Sequence, residues 1–385
     1  MSARAWRGRL GGVTTIDDYL AGFDGDPGYL DWAGFGPISP TVRAEVFADA
    51  DLLGSGRASS NALVSERFDE ARDLVAELIG IDPALVTLQP SATHGLQHAL
   101  YGLAGTVMAS SAEVPAITVT LERAARFSGD ALQARWISPA DSFVTPEAVG
   151  EALDDDDVRA LVVSHVDFRT GYRADLAALR EVIGSDRILI VDAVQSFGIV
   201  DDDLSIADVV VGNGYGWLRS ARGTGFASFS PLARERIEPV LSGFVGVEGG
   251  MPLDNIPAPA ASARAYAVNH PDQLAVARLA VGLRGVREVS PAVIEKRISE
   301  RVDRILEIVD PHGIPVQTPR DEHRRAGIVT LIPHAPGALA AVLTNAGVVA
   351  TPRGNSIRLS AHAGTSDETL RMLDEGIRTF ISMNA

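Results

Sequence analysis

Hydrophobic residues recur in two alternating patterns between about residues 60 and 230. Helix-like segments such as 66–80 place apolar residues three and four positions apart, and this segment ends at Gly80. Between the helical segments lie short apolar runs rich in β-branched residues, at 85–88, 116–121, 158–166, 186–194 and 207–212. Because nearly every position in these runs is apolar, they predict strands buried on both faces of a mostly parallel sheet. The alternation predicts an α/β layered fold.

The pattern changes after residue 245. A Gly- and Pro-rich stretch, 246–262, precedes two long helical segments, and short strands then alternate with helices to the end of the chain. This change predicts a large α/β domain over 31–245 and a smaller α+β domain over 246–385. Residues 1–30 are predicted to form an N-terminal segment that packs with the small domain.

Composition narrows the classes of function. The chain has 385 residues, of which 46% are hydrophobic and 22% charged, as is typical of a globular protein. No apolar run approaches the roughly 18 residues of a membrane span, and the N-terminus lacks the apolar core of a secretory signal. We therefore expect a cytoplasmic protein without a membrane partner. A net charge of −16 disfavours a nucleic-acid partner, because such binding needs basic residues that neutralise phosphates.

Cysteine and lysine are the residues whose scarcity limits the chemistry. The chain has no Cys, which excludes disulfides, thiolate metal sites and a Cys nucleophile. Two acidic runs, 154–157 and 201–203, lack His ligands in register and are predicted to be solvated loops, so we expect no metal site. Of 34 basic residues only Lys296 is a lysine, and its amphipathic segment predicts a solvated helix face.

Polar residues follow the predicted strands, where ligands bind in parallel α/β sheets. Ser91, Thr93 and His94 open a predicted helix after Leu88, an arrangement that suits a phosphate but also an ordinary helix cap. Asp192 stands at the end of a buried strand. A carboxylate there needs a cation or hydrogen bonds, and a satisfied helix cap would also account for it.

The loop after 207–212 contains three alternating glycines, Gly212, Gly214 and Gly216, and leads through Trp217 to a second glycine turn. This pattern predicts a strand, an exposed loop and a second strand. A dinucleotide-binding fingerprint is the weaker alternative, because Trp217 stands where the motif G-x-G-x-x-G needs its last glycine.

Together these loops resemble the class V aminotransferase family, which comprises fold-type I enzymes that use pyridoxal 5'-phosphate (PLP). The resemblance rests on the order and spacing of "YLDWAGFGPISPTV", "SATHGL", "SHVDFRTGYRADL", "VDAVQSFG", "GTGF", "RAGIVTLIP" and "IRLSAH". It implies the fold-type I PLP-dependent transferase fold: an α/β domain with a mostly parallel central sheet flanked by helices, plus a smaller α+β C-terminal domain. It also implies a homodimer, because the family's phosphate and substrate sites usually lie at a subunit boundary.

The resemblance implies a role for each polar residue at the strand ends. Asp192 would pair with the pyridine nitrogen of PLP, and Gln195 would bind the ring's 3-oxygen. Arg358 would bind the substrate carboxylate with its bidentate fork. His165 would lie near the ring, with a structural histidine as the alternative. The other residues that the resemblance places around the cofactor are Ser91, Ala92, Thr93, His94, Asn213 and Tyr215.

Gly216 is the position at which the chain departs from the family. The family carries there the Lys that forms the Schiff base with PLP, whereas this loop reads "NGYGW" over 213–217. The spacing of 24 residues from Asp192 suits the family, and Trp217 supports the register. The segment 121–127, where the resemblance implies a side chain stacked on the cofactor ring, offers only Arg123 or Arg126 to cover it.

Two functions remain open on these residues. The first is a class V aminotransferase-like protein that acts on or binds a small amino acid by transaminase or C–S/β-lyase chemistry, with PLP held non-covalently. In this interpretation the absence of Cys excludes a persulfide-forming desulfurase. The alternative is a non-catalytic or PLP-independent ligand-binding homologue, because the cofactor Lys is absent. Gly216 then marks an altered form of a Lys-bearing enzyme, a natural member with non-covalent cofactor, or a repurposed pocket.

Overall fold

The computed structural model describes residues 15–139, 141–153, 157–249 and 254–384. Within these residues ten strands form two sheets. The strands of the large sheet are β1 (Val86–Gln89), β2 (Gly105–Ser110), β3 (Leu132–Ile137), β4 (Val158–Ser164), β5 (Ile188–Asp192), β6 (Val209–Asn213) and β7 (Gly225–Phe229). The strands of the small sheet are β8 (Ile328–Leu331), β9 (Thr351–Arg353) and β10 (Ser356–Ser360).

Helices surround both sheets. Those before β4 are α1 (Ile16–Ala21), α2 (Pro40–Gly54), α3 (Ala58–Ile79), α4 (Ala92–Tyr101), α5 (Pro115–Ser128) and α6 (Pro146–Ala152). Those after β4 are α7 (Leu176–Ile183), α8 (Pro231–Arg236), α9 (Gln273–Val289), α10 (Pro291–Val309), α11 (Pro336–Asn345) and α12 (Asp367–Asn384). No helix in the described part of the chain is both long and apolar enough to cross a membrane.

The large sheet is mostly parallel, with strand order β1-β7-β6-β5-β4-β2-β3. Strands β2 to β6 pair in parallel with their neighbours, whereas β7 is antiparallel to both β1 and β6. The predicted architecture, a mostly parallel sheet flanked by helices, is therefore confirmed.

Both faces of the large sheet are buried, as the continuous apolar runs predict. Val162 and Ile190 point to the face covered by α4 and α5 and belong to one apolar cluster. Their chain neighbours Val163 and Val191 point to the opposite face and belong to a second cluster, which includes residues of α3, α7 and α9. Because successive side chains of a strand alternate between faces, such a strand needs helices on both sides.

One predicted strand is wrong. Residues 116–121 lie in α5, which begins at Pro115, and the strand is β2, which ends upstream at Ser110. Ile117, Leu121 and Ala124 are buried on one face of this helix, at the spacing of helical turns. Burial of that face outweighs the β-propensity of the short β-branched run. The strand-end loop is therefore the segment 111–114, whereas Arg123 and Arg126 line a separate surface groove with Trp136.

The glycine loop between β6 and β7 is mostly buried, which corrects the prediction of an exposed loop. Residues 22–37 of the N-terminal segment cover it. Gly36 N–H donates to the carbonyl of Tyr215 at 2.8 Å. Arg219 donates to the carbonyls of Gly22 and Pro37, and its guanidinium lies 4.1 Å from the ring centre of Phe23. The segment thus forms a roof over the loop that contains Gly216.

The small sheet has the order β8-β10-β9, with both pairings antiparallel, and α11 packs against α12 beside it. Helix α9 packs against α2 and α3, and Leu30 is hydrogen-bonded to Val349 and Ser360. The predicted domain boundaries at 30 and 245 remain predictions, and residues 1–14 lie outside the described part of the chain. Lys296 is exposed on α10.

Candidate functional site

A cavity of about 90 Å³ lies at the carboxyl ends of β1, β4, β5 and β6. Parallel α/β sheets bind ligands at this edge. Val114 in the loop after β2 and Ala116 in the first turn of α5 close one side of the cavity. The predicted site residues that line it together are Ser91, Ala92, Thr93, Asp192, Gln195, Asn213 and Tyr215.

The start of α4 forms one end of the cavity. Ser91 is the N-cap residue, yet its side chain makes no capping hydrogen bond and pairs instead with Nδ1 of the exposed His94 at 2.9 Å. The backbone of Gly225 packs directly against the backbone of Ser91. This contact requires glycine, because a Cβ at position 225 would lie 2.6 Å from Cα of Ser91. Backbone N–H groups at a helix start attract anions, so this end of the cavity suits a phosphate.

Asp192 forms the opposite wall at the end of β5. It is 4% exposed, and its Oδ1 accepts a hydrogen bond from Val194 N–H at 2.9 Å. Burial raises the pKa of this carboxyl to about 6. Among the described residues no cation pairs with Asp192 and no basic side chain lines the cavity. A buried carboxyl in this setting is stabilised by a ligand that presents a cationic nitrogen.

Gln195 is held in a fixed orientation beside Asp192. The indole N–H of Trp217 donates to Oε1 of Gln195 at 2.9 Å, and Nε2 of Gln195 donates to the carbonyl of Ala33 at 3.1 Å. Because the indole nitrogen can only donate, it determines which end of the amide faces it. Nε2 keeps a second N–H, which suits an oxygen acceptor on a ligand.

Glu113 is a site residue that the sequence analysis missed. It is 7% exposed and lies in the loop after β2, where both of its carboxyl oxygens accept hydrogen bonds from Ser164. Ser164 itself lines the cavity. Glu113 follows the true end of β2 by three residues, whereas a strand at 116–121 would place the strand-end loop downstream of it.

The side chain of His165 is not among those that line the cavity. His165 is 1% exposed, and its Nε2 lies 2.8 Å from Oδ2 of Asp202. Arg173 pairs with the same carboxylate and with Glu295. Hydrogen bonds from His165 and Arg173 hold the pKa of Asp202 well below its usual range, despite its burial. The contacts favour the structural interpretation of His165 over the catalytic one.

Arg358 lies behind the cavity wall and already has a carboxylate partner. Its guanidinium donates to Oδ1 of Asp31 at 2.9 Å and to the carbonyl of Phe168 at 3.0 Å. Phe168 lines the cavity, whereas Arg358 does not. The predicted role of Arg358 in binding a substrate carboxylate therefore remains a prediction, and its observed contacts fix Phe168.

Gly216 follows Tyr215, whose side chain lines the cavity. The guanidinium of Arg222 lies 4.9 Å from the ring centre of Tyr215. The position of Gly216 has no amine, so nothing in this turn can bond covalently to an aldehyde. Among the described residues no group of three His, Cys, Asp or Glu side chains could hold a metal ion.

Comparison with known sequences finds cysteine desulfurases among the relatives of this chain. The chain is 29% identical over 247 residues to the cysteine desulfurase IscS of Pseudomonas putida strain F1, a match that covers 60% of each protein. It is 30% identical over 193 residues to the same enzyme of Pseudomonas aeruginosa strain UCBPP-PA14, covering 46% of this chain and 47% of that one. The matches thus span less than two thirds of these relatives. No family model matches the chain.

Solved structures share the fold across nearly the whole chain. The apo cysteine desulfurase of Thermococcus onnurineus NA1 superposes with a TM-score of 0.81 at 18% identity, covering 93% of this chain and 95% of that one. A lysine-to-alanine mutant of C-DES, with glycine covalently linked to its PLP cofactor, superposes with a TM-score of 0.83 at 18% identity. That match covers 93% of this chain and 98% of the C-DES chain.

These relatives correct the predicted function. The sequence predicts transaminase or C–S/β-lyase chemistry and, because the chain has no Cys, disfavours a persulfide-forming desulfurase. The relatives with matching sequence are named cysteine desulfurases, so the exclusion was wrong. The absence of Cys limits which thiols this chain can supply, but it does not place the chain outside that group. The resemblance to the class V aminotransferase family of PLP-dependent enzymes that the sequence predicts is confirmed, through relatives that are cysteine desulfurases.

Proposed function

We propose that this protein is a desulfurase-type PLP protein that holds its cofactor non-covalently and takes a small sulfur-containing amino acid such as cysteine. The observation that carries the proposal is the cavity itself. It combines a helix N-terminus for a phosphate with a buried carboxyl, Asp192, that lacks a cationic partner among the described residues. PLP has both complementary groups, a phosphate and a protonatable ring nitrogen.

The residues of this chain have separate tasks in the proposed complex. The N–H groups at the start of α4, with Ser91 and Thr93, would bind the phosphate. Asp192 would hold the proton on the ring nitrogen, and Gln195 would donate to a ring oxygen. PLP bound in this way supplies an electron sink for bonds at the α-carbon of an amino acid. Gly216 leaves the cofactor free of a covalent bond to the chain.

The C-DES structure supports this form of binding. That protein, with a lysine replaced by alanine, retains PLP with glycine covalently linked to it. A pocket of this fold can therefore hold PLP that already carries an amino acid. This chain contains no Cys, so a sulfur atom released from a substrate would have to be accepted by a thiol from another molecule.

The proposal is tested by titrating the protein with PLP and measuring the dissociation constant by fluorescence. The wild type is expected to bind PLP reversibly, so that dialysis removes it and borohydride leaves no covalent label. Asp192→Asn should weaken binding by about tenfold or more, because a charge-assisted hydrogen bond is lost. Asp202→Asn is the matched control, since that carboxylate pairs with His165 and Arg173 outside the cavity. Failure of the wild type to bind PLP would reject the proposal.

We also propose that the protein forms the predicted homodimer. A groove of about 540 Å³ contains Asn269 and His270, the polar residues that follow "YAV" in the sequence. The exposed apolar side chains of Val240, Phe244 and Val268 lie in the same part of the chain. Apolar groups beside polar ones favour a protein interface there. Light scattering coupled to size exclusion measures the mass, and a strictly monomeric protein would contradict this part of the proposal.

A further inference from the structure

Glu113 lies directly behind one wall of the cavity, and a single residue holds both of its carboxyl oxygens. Ser164 donates its backbone N–H to Oε1 at 3.0 Å and its hydroxyl to Oε2 at 2.5 Å. Ser164 lines the cavity, whereas the side chain of Glu113 does not. The hydroxyl of Ser164 therefore links a buried acid to the space that a ligand would fill.

The charged groups that face Glu113 are carboxyls. Asp192 lies at the end of β5, directly across the parallel strand pair from Ser164, and Asp167 lies in the loop after β4. Asp167 is paired with Arg169, but Glu113 has no ion pair among the described residues. Burial raises the pKa of Glu113 to about 7, and the two neighbouring carboxylates act in the same direction. A proton can therefore reside on Glu113 at neutral pH.

We infer that Glu113 serves the cavity as a proton-carrying residue that acts through the hydroxyl of Ser164. When Glu113 is ionised, the Ser164 hydroxyl donates to the carboxylate and presents only its lone pairs to a ligand. When a proton from water binds Glu113, the carboxyl O–H donates to Oγ, and the serine proton turns toward the cavity. The state of Glu113 thus decides whether a ligand meets an acceptor or a donor at Ser164.

Glu113 is therefore a positioning residue, and the direction of its effect follows from charge. The identity of the ligand rests on the proposed function, in which PLP carries a net negative charge, because its doubly charged phosphate outweighs the single positive charge on the ring nitrogen that faces Asp192. An ionised Glu113 adds a negative charge to a site that already contains Asp192, and it removes a donor from the cavity wall. We expect protonated Glu113 to favour PLP, so its affinity should fall as pH rises through neutrality.

The test measures PLP dissociation constants between pH 6 and 8.5. At each pH the constant of the wild type is divided by that of Glu113→Gln. Ionisations of PLP itself affect both proteins equally and cancel in the ratio. The ratio should be close to one at pH 6, where both side chains are neutral, and about tenfold at pH 8.5. In the Ser164→Ala background the same ratio should shrink by at least threefold. Glu147→Gln, at an exposed position on α6, is the control and should give a flat ratio.

The outcomes separate this inference from the proposed function. If PLP binds and the ratio does not change with pH, Glu113 is merely structural and the inference is overturned. A ratio that changes equally with and without the Ser164 hydroxyl also overturns it. If no variant binds PLP, the proposed function fails and the inference fails with it. If Glu113→Gln does not fold, the ratio between Ser164→Ala and the wild type replaces it, and a flat profile is again the contrary result.

Discussion

A side chain at position 216 would be less crowded than one at the neighbouring glycines of the same turn. A Cβ at Gly216 would meet a single described atom within 4 Å outside its own turn, the carbonyl oxygen of Trp32 at 3.2 Å. A Cβ at Gly214 would lie 2.9 Å from the hydroxyl of Thr224, and one at Gly212 would lie 2.5 Å from the ring of Phe226. Packing therefore explains the glycines at 212 and 214, but it does not require glycine at 216.

Gly216→Lys should consequently fold and gain a covalent attachment to PLP. The lysine amine can condense with the aldehyde, which gives a new visible absorbance band and a label that borohydride fixes on the chain. Gly216→Ala is the matched control, because it adds the same Cβ without an amine and should show neither signal. A Lys variant that folds and binds PLP but stays unlabelled would show that position 216 does not face the aldehyde. Labelling of the wild type at Lys296 would contradict the surface placement of that residue.

Arg358 shows why a residue type alone does not establish a role. A planar guanidinium suits a substrate carboxylate, and the resemblance places Arg358 at such a site. In the structure its carboxylate partner is Asp31, which also accepts the hydroxyl of Thr351 at 2.5 Å. The Nε atom of Arg358 is buried and has no hydrogen-bond partner among the described residues, so the whole group is enclosed. A ligand carboxylate at Arg358 would have to compete with Asp31.

At the scale of elements, the contact between β7 and the start of α4 positions the phosphate end of the cavity. Gly225 begins β7, and a Cβ there would lie 2.6 to 2.8 Å from three backbone atoms of Ser91. Backbone on both sides of the contact leaves no side chain that could rotate away. The helix start can therefore reach its position only while residue 225 lacks a side chain.

Gly225→Ala should push α4 away from β7 and damage both stability and binding. Overpacking of this kind costs about 1–3 kcal/mol in free energy of unfolding, and the PLP dissociation constant should rise by about tenfold or more. Chemical denaturation and the PLP titration measure the two effects. Gly337→Ala on α11 is the control, because a Cβ there meets nothing within 4 Å. Unchanged PLP affinity in Gly225→Ala would separate this contact from the site.

The elements that were predicted correctly share one property: the signal for each of them lies within its own stretch of sequence. β4, β5 and β6 are apolar at nearly every position, and α3 stops at Gly80 in the left-handed conformation that glycine favours. The strand prediction for residues 116–121 was wrong because six apolar or β-branched residues fit both a strand and one face of a helix. The strand β2 (Gly105–Ser110) contains two small polar residues and was overlooked beside it.

At the scale of the whole molecule, the cavity could be predicted only in part. Seven of the predicted site residues share its lining, because the ends of neighbouring parallel strands must meet at one edge of the sheet. The roof over the glycine loop was not predictable. Its contacts join residues 22–37 to Tyr215 and Arg219, nearly the length of the large domain away in sequence, without any periodic signal. Such contacts depend on the assembled fold.

Two buried carboxyls, Asp192 in the cavity wall and Glu113 behind it, should make the stability of the ligand-free protein depend on pH. Burial raises the pKa of Asp192 to about 6 and that of Glu113 to about 7, above their ordinary values of 3.8 and 4.5. Between these values the folded state binds more protons than the unfolded state, so the free energy of unfolding falls as pH rises. Each group should cost up to about 3 kcal/mol once ionised. The free energy of unfolding should begin to fall near pH 4 and should reach its lower level above about pH 8. In strong acid, where both carboxyls are protonated, no such loss is expected.

Denaturant unfolding of the ligand-free protein from pH 4.5 to 8.5 measures this dependence. Asp192→Asn and Glu113→Gln should each flatten the profile and should be more stable than the wild type at pH 8.5, because the buried charge is gone. Glu300→Gln, at an exposed position on α10, should leave the profile unchanged. PLP should restore stability to the wild type above pH 7, since a ligand that binds only the folded state stabilises it. Parallel profiles for the wild type and both cavity variants would show that neither carboxyl is perturbed, and the electrostatic basis of the site would then be wrong.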